Sequence, residues 1–251
     1  MPLYRDDAVV LRAQKLGEAD RIITLLTREH GKVRAVGKGV RRTGSRFGAR
    51  LEPFMHIDVQ LNEGRTFDVV TQVDTIGAYA RDICIDYGRY TVAGALVETA
   101  DRLVVAEREP SVQQFWLLAG ALRTLASQQV PADLILDSYL LRAFAVAGYA
   151  PSFDVCAQCG APGPHTAFSV AAGGAVCARC RPPGSASPAS GTFTHMAALL
   201  AGEWGVVLSS SDRHVREARG LIAAFTQYHL ERTIRSLRFV ERSSRDSSSP
   251  S

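Results

Sequence analysis

The segment Ile22-Ile-Thr-Leu-Leu-Thr-Arg-Glu-His-Gly-Lys-Val-Arg-Ala-Val-Gly-Lys38 reads as two strands joined by a turn. Ile22 to Thr27 is β-branched and apolar, and His30-Gly31 closes it. Beyond the turn, Lys32, Arg34, Val36 and Lys38 alternate with Val33, Ala35 and Gly37, so an extended chain presents its cations on one face. The pattern continues on both sides. Ala8 to Leu11 makes an earlier strand. Met55, Ile57, Val59 and Leu61 alternate with polar residues, and Phe67, Val69, Thr71 and Val73 resume past Glu63-Gly64. Five short strands separated by turn signals predict a small closed barrel. The OB-fold is the expected form, and an SH3-like barrel fits the same pattern nearly as well.

Charge is concentrated on this barrel. From Arg28 to Arg50 there are eight cations (Arg28, Lys32, Arg34, Lys38, Arg41, Arg42, Arg46 and Arg50) against one acid, Glu29, while the whole chain carries only +4. The remainder is therefore net acidic. A basic patch on such a body is the footprint of a polyanion binder, most often nucleic acid. A phosphate-binding P-loop does not explain the glycines. Five residues separate Gly31 from Gly37 where the motif has four, and Gly39 stands where it needs a magnesium-binding hydroxyl. Phe54 and Phe67 are expected in the barrel core. Phe47, between Arg46 and Arg50, is the candidate base-stacking ring, with core packing as the competing assignment.

After residue 80 the periodicity becomes helical. Ile83, Tyr87, Tyr90, Val97 and Val104 fall on one helix face, and Ser111 with Gln114 forms a capping-box pattern before a second helix. A third, Pro131 to Ala147, is apolar nearly all round and is expected at the centre of a core. A later helix runs from Asp212 through Val215, Ala218, Ile222, Phe225 and His229. Cys84, beside Ile83 and Ile85, reads as a small buried hydrophobe. No apolar run is long enough to span a membrane, and Met1 to Asp7 lacks a signal-peptide pattern.

Cys156-Ala-Gln-Cys159 and Cys177-Ala-Arg-Cys180 are two CxxC pairs separated by seventeen residues. Each pair can form a knuckle, and the two together close a tetrahedron, so one structural zinc is expected on Cys156, Cys159, Cys177 and Cys180. Four thiolates leave no open position, and no HExxH, GxSxG or His-x-Glu pattern accompanies them, so no catalytic residue is assigned and the chain is not expected to be an enzyme. The expected class is α+β: a five-stranded OB-fold barrel, then an all-α domain carrying an inserted four-cysteine zinc ribbon. The divisions are 1–80 for the DNA-binding barrel, 81–151 and 193–241 for the helical domain, 152–184 for the ribbon, 185–192 for a linker and 242–251 for a disordered tail.

Ala8-Val-Val-Leu11, Leu16-Gly-Glu-Ala-Asp-Arg-Ile-Ile-Thr-Leu-Leu-Thr-Arg-Glu-His-Gly-Lys32, Ala35-Val-Gly-Lys-Gly-Val-Arg-Arg42 and Leu51-Glu-Pro-Phe54 resemble the N-terminal domain of the RecO family of bacterial recombination mediators. The likeness extends to the interrupted helical domain and to a closing segment from Tyr228 to Phe239. It implies a cytoplasmic, nucleoid-associated protein of the RecF pathway in DNA repair and recombination. Such a protein would bind single- and double-stranded DNA, anneal complementary strands and help load a recombinase. Its partners would be RecR and single-stranded DNA-binding protein, whose acidic C-terminal tail could dock near Arg123, Arg142, Arg216 or Arg219. The DNA contacts are placed on Lys32, Arg34, Lys38, Arg41, Arg42, Arg46 and Arg50. Two other readings are open: a zinc-ribbon transcription or translation factor without annealing activity, and a scaffold whose basic patch is incidental. Against the first, Arg179 is the only cation between Cys156 and Cys180.

Overall fold

The structure, a computed structural model, describes residues 2–45 and 47–230. Arg46, the end of the expected second helical part and the Ser-rich tail lie outside the described residues. The chain divides into two compact units that meet in sequence at Ala132 and Asp133.

The first unit begins with β1 (Leu3–Leu16), β2 (Asp20–Thr27), β3 (Gly31–Gly37), β4 (His56–Asn62) and β5 (Asp68–Gly77). They close a barrel in the order β1-β2-β3-β5-β4. β4 returns to pair with β1, and the seam is a short parallel contact in which Ala35 faces Asp68 and Val36 faces Val69. This closure is the OB-type arrangement. The stretch from Gly31 to Gly37, which departs from the P-loop spacing, is strand β3. The register of β1 against β2 shifts between Val10 and Arg12, a bulge that lets one long strand bend across two partners. Inward residues, including Val10, Ile23, Leu25, Val33, Ile57 and Val59, build the barrel core. Val40, Phe47 and Leu51, from the segment linking β3 to β4, join it. Phe47 is 2% exposed. The core assignment is therefore the right one, and the ring is not presented to bases.

The barrel is followed by α1 (Tyr79–Ile83), α2 (Tyr87–Leu103) and α3 (Val112–Ser127), which belong to the same compact unit. The expected stripe holds at Ile83, Val97 and Val104, which are buried, and fails at its two tyrosines. Small residues bury themselves (Thr91, Val92, Ala95, Leu96, Thr99 and Ala100), while Tyr87 and Tyr90 stay 63% and 49% exposed. Close approach favours the small-residue face over the tyrosine face. Asp86 caps α2 by accepting a hydrogen bond from the Arg89 amide, 2.7 Å. Ser111 is the N-cap of α3, yet its side chain makes no capping bond, and Gln114 is buried.

Between α2 and α3 the chain returns to the barrel as a strap. Glu107 forms a parallel bridge with Lys32, and the Arg108 amide donates to the Lys32 carbonyl at 3.0 Å. A Cβ at Gly31 would lie 1.7 Å from the Glu109 carbonyl oxygen, and Gly31 has φ +64°. Only glycine fits under this crossing. Arg108 Nη2 reaches Asp68, which also accepts from the Tyr4 hydroxyl and the Gly64 amide. Burial, reinforced by that carboxylate, pushes the Tyr4 hydroxyl pKa up.

The second unit contains α4 (Ala132–Val146), β6 (Ala167–Ser169), β7 (Gly174–Val176), α5 (Ser190–Ala201), α6 (Trp204–Ser209) and α7 (Asp212–His229). As expected, α4 is buried on almost every side. Ser138 Oγ donates to the Leu199 carbonyl, tying α4 to α5. The α7 stripe holds at Ala218, Ile222 and Phe225. The Pro/Ser-rich stretch after the ribbon is anchored: Ala186 and Phe168 exchange both backbone hydrogen bonds at 2.9 Å.

Candidate nucleic-acid interface and metal centre

OB-type barrels present oligonucleotides with the face of strands 2 and 3 and the loop between strands 1 and 2. Here Lys32 and Arg34 point outward from β3 on that face, but each has an internal partner. Lys32 Nζ donates to the Asp101 carbonyl at 2.8 Å and pairs with its carboxylate at 3.3 Å, leaving the side chain 12% exposed. Arg34 pairs with Glu107 at 2.8 Å and lies over the Phe67 ring, 5.2 Å from its centroid. The strap and the end of α2 thus hold these two cations.

The rest of the expected cluster is placed differently. Lys38, Arg41 and Arg42 stand exposed on the loop after β3, and Arg50 is exposed in the 3-10 turn Gly48–Leu51. The loop is fixed to the β1–β2 turn rather than free. Gly39 donates to Asp20 at 2.8 Å, the Arg41 amide to the Ala19 carbonyl at 3.0 Å, and Arg41 Nη1 to the Gly17 and Glu18 carbonyls. Lys38 and Arg42 carry no side-chain hydrogen bond or ion pair among the described residues. They are therefore available to phosphates at no cost in broken internal contacts.

A groove missed by the sequence reading opens beside this loop. It measures about 780 Å³ and runs between the second half of β1, the Ala49–Met55 turn and the outer side of α2. Lys15, Arg81 and Tyr90 line it, as does Cys84, which is exposed and not the buried hydrophobe expected. Burial, then the nearby Glu52, push the Cys84 thiol pKa up. The signal available in the sequence was the competing small-residue face of α2, which frees the tyrosines.

The metal site lies in the second unit. All four sulfurs of Cys156, Cys159, Cys177 and Cys180 lie within 4.8 Å of one another, with Cys159 and Cys177 3.9 Å apart. Bonds of about 2.3 Å to a tetrahedral zinc require sulfurs about 3.8 Å apart, so this donor set fits that ion. Amide donors from Cys177 and Cys159 pull the Cys156 thiol down to about 6. Hydrogen bonds to the Cys177 and Cys159 thiols push Cys180 up to about 12, since four crowded thiols cannot all ionise unaided. Arg179 is held by Cys159 and Cys180, which raises its pKa. The one cation between Cys156 and Cys180 is thus engaged by sulfur, and Arg181, just beyond, donates to the Ser185 carbonyl and to Ser187 Oγ.

Among the arginines considered for partner docking, Arg219 is engaged by Asp133 and Asp137, whereas Arg123, Arg142 and Arg216 are exposed. No described helix is long and apolar enough to cross a membrane.

Comparison with known proteins agrees with this architecture. Residues 1–79 match the family model described as "Recombination protein O N terminal", and residues 85–238 match "Recombination protein O C terminal". The chain is 58% identical over 242 residues to a protein described as "DNA repair protein RecO" from Thermobifida fusca (strain YX), covering 96% of this chain and all of that one. It is 56% identical over 243 residues to a protein of the same description from Nocardioides sp. (strain ATCC BAA-499 / JS614), again covering 96% of this chain and all of the relative. The matched models lie end to end along nearly the whole sequence, and the chain belongs to the recombination protein O family.

Proposed function

We propose that this chain acts in DNA repair as a recombination mediator that binds single- and double-stranded DNA and anneals complementary strands without nucleotide hydrolysis. The observation that carries this reading is an OB-type barrel bearing two outward cations, Lys38 and Arg42, without a side-chain partner among the described residues, in a chain whose family and relatives are recombination and DNA-repair proteins. Lys38, Arg41, Arg42 and Arg50, with Arg46, hold phosphates. Lys32 and Arg34 shape the barrel that carries them. Such a surface fixes the backbone and leaves base edges free, as annealing requires, because a base stacked on protein cannot pair. One zinc on the four cysteines crosslinks the two knuckles and takes no part in chemistry. The protein works in the cytoplasm on chromosomal DNA, with RecR and single-stranded DNA-binding protein. The acidic tail of the latter docks near exposed Arg142 or Arg216 in the second unit, or near Arg123 in the first.

Two measurements test this reading. Lys38→Ala with Arg42→Ala should flatten the log–log salt dependence on single strands by about 1.4 and weaken binding roughly 20-fold at 0.1 M salt, for all sequences alike. Lys32→Ala with Arg34→Ala should lower stability while changing that slope little; the reverse pattern would move the phosphate contacts onto β3. Annealing of complementary oligonucleotides coated with single-stranded DNA-binding protein should accelerate without ATP and lose the acceleration when the coating protein lacks its tail. No acceleration on bare or coated strands would overturn the annealing assignment.

A further inference from the structure

The groove beside α2 sets an exposed tyrosine and several cations above buried apolar residues. Its floor is apolar, from Leu11, Met55 and Val97, and its rim carries Arg12, Lys15, Arg21 and Arg81 against one acid, Glu52. Arg21 takes up Glu52 at 2.5 Å, and Arg12 faces Asp101 at 3.9 Å. Lys15 and Arg81 have no side-chain partner among the described residues, so the rim is left with two uncommitted positive charges. Tyr90 leaves half its surface in water and is steadied by Phe54, the two rings meeting edge to face with centroids 5.7 Å apart. Phe54 is itself locked: it is buried at φ +73°, with its amide on the Val10 carbonyl at 3.0 Å.

An exposed tyrosine sharing an apolar-floored groove with uncommitted cations matches one unpaired nucleotide: a ring for the base and charges for the flanking phosphates. A duplex cannot use it, since its bases are stacked on one another. The groove also continues the basic loop, because Ala49 lines it and Arg50 follows directly. We propose that this groove seats a segment of single-stranded DNA, with a base stacked on Tyr90 and phosphates held by Lys15 and Arg81. The proposal deepens the DNA-binding reading above and rests on it. A single stacking platform would anchor a strand against sliding while its remaining bases stay free to pair.

The test compares affinities for a single-stranded oligonucleotide and its duplex at matched salt. Tyr90→Ala should weaken single-strand binding about tenfold or more, leave duplex binding within about twofold and leave the salt slope unchanged, because stacking carries no counterion release. Tyr90→Phe should bind like the parent, which separates lost stacking from misfolding. Lys15→Gln with Arg81→Gln should instead reduce the single-strand slope by about 1.4. In the unaltered protein, saturating oligonucleotide should slow alkylation of Cys84, read by peptide mass spectrometry. Unchanged single-strand affinity in Tyr90→Ala, with the parent binding DNA normally, overturns the groove and spares the DNA-binding reading. A parent that binds no DNA overturns both. Protection of Cys84 by an acidic peptide such as polyglutamate, but not by oligonucleotide, assigns the groove to a protein segment and also overturns the proposal.

Discussion

Cys177→Ala should abolish stoichiometric metal binding and melt the ribbon. Apart from the metal, the ribbon is held by a small sheet, a few buried side chains and the contacts of the Phe168 ring with Phe153 and Phe193. Its sheet is three residue pairs, and its buried cluster is Cys156, Ala167 and Val176 with a few half-buried neighbours. A core that small cannot offset the conformational entropy of ordering the loops around it. Thiolate–zinc bonding supplies roughly 10 kcal/mol or more in comparable peptides, so losing one ligand removes the dominant stabilising contribution. The same result is expected for Cys156, Cys159 or Cys180. Elemental analysis should fall from one zinc per chain to well under one. Amide exchange should accelerate through Ala167–Ser169 and Gly174–Val176 and remain slow in the centre of α7. Cys84→Ala is the control, with metal content unchanged. A full complement of zinc in Cys177→Ala, or less than one zinc per chain in the reduced parent protein, would count against the assignment.

The second large effect is expected at Asp68. Its carboxylate is fully buried and gathers the Tyr4 hydroxyl, the Gly64 amide and Arg108. Asp68→Ala leaves a hydroxyl and an amide without an acceptor inside the barrel and unties the strap. Removing one member of a buried charged network costs about 3–5 kcal/mol. The partly exposed Arg108 can turn to solvent, which places this case near the lower end, about 3 kcal/mol. Asp68→Asn keeps an acceptor and should cost less than half as much. Urea unfolding of the two variants checks the order. Equal losses would mean that charge, not hydrogen-bond satisfaction, is what the site provides.

Local chemistry was legible in the sequence, and distant pairing was not. The strands declared themselves because alternation and glycine turns are set within a few residues of one another. The cysteine cluster did so because its spacing encodes its geometry. The buried all-apolar α4 followed from composition. What failed was the choice among faces and partners. Lys32 and Arg34 look like free cations until Asp101 and Glu107, some seventy residues on, are brought beside them. Tyr90 fits an apolar stripe as well as Ala93 or Leu96 fit theirs, and only close packing shows that α2 buries its small residues. Phe47 sits among arginines in sequence and among aliphatic residues in space.

The strap over Gly31 has a consequence for how such a protein can be inherited. The family models part the chain between residues 79 and 85. The barrel's own seam, however, is only two residue pairs wide, and Glu107–Glu109 patches the start of β3 from beyond that division. A barrel severed after Gly77 would bare the edge of β3, strand Lys32 and Arg34 without their partners and take Arg108 from Asp68, inviting edge-to-edge association. Recombination between genes at that boundary would yield halves that do not stand alone. The first three helices and the barrel must travel through evolution as one piece.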